Sequence, residues 1–164
     1  YDPEAAWRDA ASHLTANPQA AAMLLEFASF AQISAVTDQE APALTQAIAA
    51  YWNGAPDGAA QLERQFTAMT SLPGRLQTSM GPAFYAEVAP WAAALAHKGQ
   101  AGLLALAVDG AVRRGEAATV RQKLPELRQQ LAAMQAEQAT AYIGVQLVED
   151  FCGQVIKRGE PLAK

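Results

Sequence analysis

The two histidines, His13 and His97, and the one cysteine, Cys152, are the residues of this chain most able to hold a metal or attack a substrate. They lie far apart, and no HExxH spacing occurs, whereas a zinc site needs three or four such ligands brought together. Each histidine therefore reads as a surface or helix-cap residue. Cys152 sits in the apolar stretch 148–156 and reads as a small buried hydrophobe rather than a thiolate nucleophile. Alone, it can form no intrachain disulfide. No metal and no cofactor are expected.

The carboxylates are more numerous but scattered. Sixteen acidic residues run along the chain, and Glu149-Asp150 is the only adjacent pair. Glycoside hydrolysis uses two carboxylates flanking one bond in a cleft. Neighbours on a helix point about 100° apart, so one of this pair should face solvent, and the two read as charge near the start of the last helix. Glu26 lies within the most apolar helix, where an unpaired carboxylate is costly to bury. It is an exposed strip of that helix, a hydrogen-bonded buried acid, or a contact to another domain. Trp7, Trp52 and Trp91 could stack on sugar rings, yet all three fall on apolar helical stripes, and core packing is the better reading. No GxGxxG, Walker loop or GxSxG occurs. Catalytic, cofactor-binding and metal residues are therefore expected to be none in this chain.

Charge narrows the partners. A formal net charge of -4 does not suit a nucleic-acid surface, which needs clustered Lys and Arg to displace phosphate counterions. The basic clusters Arg113-Arg114, Arg121 to Arg128 and Lys157-Arg158 read as helix-end and solvated-face charge. No run of about 18 uncharged apolar residues appears, so no membrane span is expected.

The elements that must position these residues are helices. The 164 residues suit one domain. Ala, Gln, Glu, Leu, Arg and Met favour helix throughout, and the β-branched and aromatic runs of strands are scarce. Asp2-Pro3-Glu4 starts a helix reaching about Leu14. A second, spanning about 18 to 36 from Asn17-Pro18, is apolar nearly all round and reads as central to a bundle. Thr37 and Glu40 fit a capping box for a third, carrying Leu44, Ile48, Tyr51 and Trp52 on one side and ended by Asn53-Gly54.

A fourth helix, about 57 to 71, carries Leu62, Phe66 and Met69, with Pro73-Gly74 as an interruption. Gly81-Pro82 opens a longer one with Phe84, Val88, Trp91 and Leu95 on a single face, kinked or restarted at Pro90. Gly99 and Gly102 either break it near Lys98 or let a neighbour approach closely; the continuous form is taken. Gly115 breaks the chain before the Leu124, Leu127, Leu131, Met134 stripe. Residues 141–145 carry a short extended signal, 147–156 return to helical spacing, and 159–164 read as a frayed tail. The expected fold is all-α, an antiparallel helical bundle of about five to seven helices in a single domain over residues 1–158, with 159–164 as the C-terminal tail.

The opening Tyr1-Asp-Pro-Glu-Ala-Ala-Trp7 resembles the Tyr-Asp-Pro-Glu-x-x-Trp segment that follows the catalytic barrel in bacterial family 84 β-N-acetylglucosaminidases, the O-GlcNAcase and hyaluronidase-like enzymes. The apolar helix ending Leu24-Leu-Glu-Phe-Ala28, the Pro42 to Trp52 helix and the closing Leu147 to Phe151 segment are similar in order and character to that family's post-catalytic helical domain. The resemblance implies a parent that removes terminal β-linked N-acetylglucosamine with retention, the sugar's own acetamido group attacking the anomeric carbon. It also implies that the paired aspartates supporting this step lie upstream of Tyr1. Tyr1 is not an initiator methionine, and the chain is accordingly expected to begin inside its parent. Its partners would be the upstream catalytic barrel and, further, glycoprotein substrate or a second copy. Family members often act outside the cytoplasm, although the residues assign no compartment. The alternative is a helical interaction or dimerisation module with no glycosidase link.

Overall fold

A computed structural model describes residues 5, 6, 9, 10, 13, 17–30, 41–141 and 146–164. They form six helices, α1 (Pro18–Phe30), α2 (Pro42–Trp52), α3 (Gly58–Ser79), α4 (Pro82–Arg113), α5 (Ala117–Ala141) and α6 (Gln146–Ala163). The described positions Ala5, Ala6, Asp9, Ala10 and His13 are helical too. There is no strand among the described residues, and the all-α bundle follows as expected. Trp7, the Thr37 to Glu40 capping box and the extended signal at 142–145 lie outside the described residues.

Glycine punctuates the bundle as its backbone freedom requires. Gly54 and Gly115 take left-handed φ values of 71° and 70°, reversing the chain after α2 and α4 at no Cβ cost. Helix α4 packs against α3, α5 and α6 at once. The α3–α4 crossing is close. A Cβ on Gly102 would sit 2.5 Å from the Phe66 ring, and one on Gly99 would sit 2.6 Å from the Phe66 carbonyl oxygen. These glycines are an approach surface within a continuous helix.

Three expectations change. The central helix is α4, not the 18–36 segment: only Ala20 and Phe30 of α1 are buried, whereas α4 buries eleven residues, most of them Ala or Gly. A helix flanked on several sides needs small residues on several faces, and bulky Met23, Leu24 and Phe27 suit the half-covered rim. Pro73 does not end α3, which runs to Ser79; at Pro90, where a kink or a restart was expected, α4 does not restart. An interior proline costs about 3 kcal/mol, but Leu72 and Leu76, on either side of Pro73, are fully buried and contribute about 1.5–3 kcal/mol each. Finally, the segment read as a frayed tail is helical to Ala163. Gly159 is buried with Leu124 and Val120 against it, and Leu162 packs on the core.

The core is one cluster in which Leu44, Leu62, Phe66, Met69, Leu95, Val108, Leu124, Leu127, Phe151 and Val155 meet. The stripe Leu124, Leu127 and Met134 is buried with Leu131 packed beside it, as its spacing implies.

Candidate functional site

Two polar clusters penetrate this core, both built on α4. The first centres on Asp109, which has no exposed surface. Its Oδ2 accepts the Tyr51 hydroxyl at 2.6 Å and the Arg113 Nε at 2.7 Å, and its Oδ1 accepts the Arg158 Nε at 2.8 Å. Arg113 lies one turn along α4, so the helix supplies that partner locally. Tyr51 comes from the end of α2 and Arg158 from α6. The arginines also lie over aromatic rings, Arg113 at 4.7 Å from the Tyr51 centroid and Arg158 at 5.3 Å from that of Trp52, so each guanidinium gains cation–π attraction besides its ion pair.

Burial alone would raise the Asp109 carboxyl. The Tyr51 and Arg113 hydrogen bonds and the two arginine charges outweigh it and hold the group below the usual carboxylate range. Burial and the Asp109 bond push the Tyr51 phenol up to about 12. A carboxylate with both oxygens engaged is a poor base; it ties α2, α4 and α6 together. Beneath it, Tyr51, Trp52 and Phe151 form an aromatic cluster with centroids 5.2–5.7 Å apart. The Trp52 indole N–H is buried there without an acceptor.

The second cluster joins Lys98 of α4 to Glu149 of α6 at 3.5 Å, both nearly fully buried. Burial lowers the Lys98 pKa, while Glu149, Glu137 and Cys152 pull it back up. Next to it His97, exposed, meets Glu137 of α5 at 3.1 Å. Cys152 is fully buried, and burial with the Glu149 charge raises its thiol to about 12, a small hydrophobe as its setting implied.

The remaining candidates separate. Glu149 is buried and Asp150 exposed, so the pair splits between core and solvent as helical geometry requires. Glu26 is half-buried and accepts a two-pronged ion pair from Arg75 at 2.7 and 2.8 Å, fastening α1 to α3. His13 is exposed and bonds the Asp9 carbonyl. Arg114 pairs with Glu116 and Arg128 with Glu160, which accords with solvated-face charge, whereas Arg113 and Arg158, read the same way, turn to the buried Asp109 carboxylate. Trp52 packs on the core, but Trp91 does not: it is 49% exposed, the large hydrophobic side chain most open to solvent among the described residues. Of its stripe Leu95 is buried, Phe84 and Val88 are half-buried, and Trp91 itself faces solvent.

Sequence reasoning passed over Asp109 and Lys98. The signal was present, since Asp109 interrupts the run Leu103 to Val112 just as Glu26 interrupts α1, and Arg113 stands four residues on. Its distant partners carried no such mark. Among the described residues, no three His, Cys, Asp or Glu side chains are grouped to hold a metal ion, and no helix is long and apolar enough to cross a membrane.

No curated protein and no solved structure matches the chain. Residues 43–151, from α2 to the early turns of α6 and thus including Tyr51, Asp109, Arg113, Lys98 and Glu149 but not Arg158, match the hyaluronidase post-catalytic domain-like family, and the chain belongs to that family.

Proposed function

We propose that this chain is the noncatalytic helical accessory domain of a retaining β-N-acetylglucosaminidase of family 84, O-GlcNAcase-like, in which it stabilises the preceding catalytic barrel and aids access of protein-borne substrates. Family membership over residues 43–151 carries this reading, because a post-catalytic domain follows a catalytic one. The Tyr1 to Trp7 resemblance adds the finer assignment to family 84. The polar clusters support an architectural role, since Asp109 and Lys98 spend their bonding capacity on joining helices.

The test compares the full parent protein with this chain alone on an aryl β-N-acetylglucosaminide. The parent should release the aryl group and the chain should not; turnover by the chain overturns the noncatalytic role. A parent that cuts hyaluronan and leaves the aryl glycoside intact would replace the substrate and keep the accessory role.

A further inference from the structure

Asp109 accepts two guanidiniums where its charge balances one. Arg113 sits on its Oδ2 and Arg158 on its Oδ1, so one positive charge is left over on a chain whose net charge is -4. The nearby acids do not cancel it, because Glu116 is paired with Arg114 and Glu160 with Arg128. Lys157, beside Arg158, is exposed and adds to it.

Both guanidiniums are fixed in place yet open to solvent. Each binds Asp109 through Nε, and each rests on a ring, Arg113 on Tyr51 and Arg158 on Trp52, whose centroids are 5.2 Å apart. The side chains are nevertheless 43% and 44% exposed. The Nη groups, with which arginine grips a carboxylate in two-pronged fashion, take no part in the bonds to Asp109. An arginine held this way has already lost the side-chain freedom that binding otherwise has to freeze.

Arg113 also stands at one end of a groove of about 440 Å³ between α3 and α4. Its α4 wall runs from Leu103 and Leu106 through Ala107 and Gly110 to Arg113, about 15 Å at the helical rise and the reach of about four to five extended residues. Glu63 of α3 lines the groove too. Phe66 meets Gly102, so Glu63, three residues earlier, lies toward the apolar end and away from Arg113.

We propose that Arg113 and Arg158 are a carboxylate-binding pair, and that the groove leading to them takes a short extended segment of an acidic protein partner. Apolar side chains of that segment lie along Leu103 and Leu106, and an Asp or Glu carboxylate meets the Nη groups. A carboxylate matches the surplus, one negative charge against one positive, whereas a phosphate carries nearly twice that charge. The site goes beyond the accessory-domain reading and stands without it, because binding is a property of this chain alone.

The probes are a blocked hexapeptide alternating Leu and Glu, the same peptide with Gln in place of Glu, free glutarate and inorganic phosphate. Titrated into the 164-residue chain at low salt, the acidic peptide should saturably shift the side-chain Nε–Hε NMR signals of Arg113 and Arg158 together with the methyl signals of Leu103 and Leu106. The Gln peptide should bind about tenfold more weakly, as loss of a charge-assisted hydrogen bond implies, and glutarate and phosphate, lacking the apolar contacts, should also bind more weakly. Arg158→Gln should weaken the acidic peptide about tenfold. Because that change also takes a partner from Asp109, a second variant leaves the cluster whole: Ala107→Glu, at an exposed groove position, places a like charge in the path and should weaken binding as well, while Arg128→Gln should not. Equal binding of the Gln peptide overturns the carboxylate, and equal binding of glutarate or phosphate overturns the protein partner in favour of a small anion. Unmoved arginine signals, or undiminished binding to Ala107→Glu, overturn the site itself.

Discussion

The Tyr51 hydroxyl donates to the buried Asp109 carboxylate at 2.6 Å across 58 residues of sequence, fastening the last turn of α2 to the C-terminal part of α4. A hydrogen bond to a charged group contributes about 1.5–3 kcal/mol. Tyr51→Phe should cost about that much in urea unfolding. Asp109→Ala should cost more, since it also strands the buried phenol and releases both arginines. A Tyr51→Phe variant as stable as wild type would show that the arginines alone satisfy Asp109.

The same carboxylate sets an acid limit on stability. Asp109 is held below its ordinary value in the folded chain, so its contribution is complete above the unfolded value of about 3.9. It is lost as pH falls through the lower folded value, because the unfolded chain binds the proton more readily there. Tyr51→Phe and Arg158→Ala should each shrink the acid-side loss in the window that opens below about pH 4. Unfolding free energies measured across that window check the sign, and an unchanged slope would separate Asp109 from the acid transition.

Lys98 and Glu149 form an ion pair taken almost wholly out of water. Removing one partner of such a pair commonly costs about 3–5 kcal/mol, whereas replacing both with apolar residues is often neutral. Lys98→Met alone should destabilise strongly, and Lys98→Met with Glu149→Leu should recover most of the loss. If the double variant is no better than the single, the pair contributes attraction beyond the cost of its own desolvation.

The glycines of α4 and α6 should part company. Gly99→Ala drives a methyl against the backbone of Phe66 and Thr70, and Gly102→Ala drives one into the Phe66 ring. Each should lose about 1–3 kcal/mol by overpacking, Gly99 the more because a backbone yields less than a side chain. Gly153, inside α6, has open space where a methyl would stand, with no atom within 4 Å, so Gly153→Ala should gain up to about 1 kcal/mol of helix propensity. Urea midpoints rank all three.

With its thiol raised to about 12 and no exposed surface, Cys152 should resist disulfide reagents at about pH 8 until the bundle opens. Its labelling rate should rise with urea in step with unfolding followed by circular dichroism. Fast labelling of the native chain would place the thiol at the surface.

Much of this architecture was legible locally. Alanine-rich composition and three-four spacing identify helices, and the stripes through Leu44, Leu62 and Leu124 point inward because periodicity alone sets which side chains share a face. Gly54 and Gly115 end helices because a left-handed φ is a property of single residues. The burial of Cys152 and the split between Glu149 and Asp150 follow from the same rules.

What local rules could not settle were competitions and reach. Pro73 lies inside a helix because the burial of Leu72 and Leu76 exceeds the cost of a lost hydrogen bond, and burial depends on which neighbours arrive. Asp109 is tolerable in the core only because Tyr51 and Arg158, 58 and 49 residues away, come to it. Trp91 obeys the same periodicity as Leu95 yet stands in solvent, because spacing assigns a residue to a face while the lengths and offsets of packed helices assign that face to core or to water.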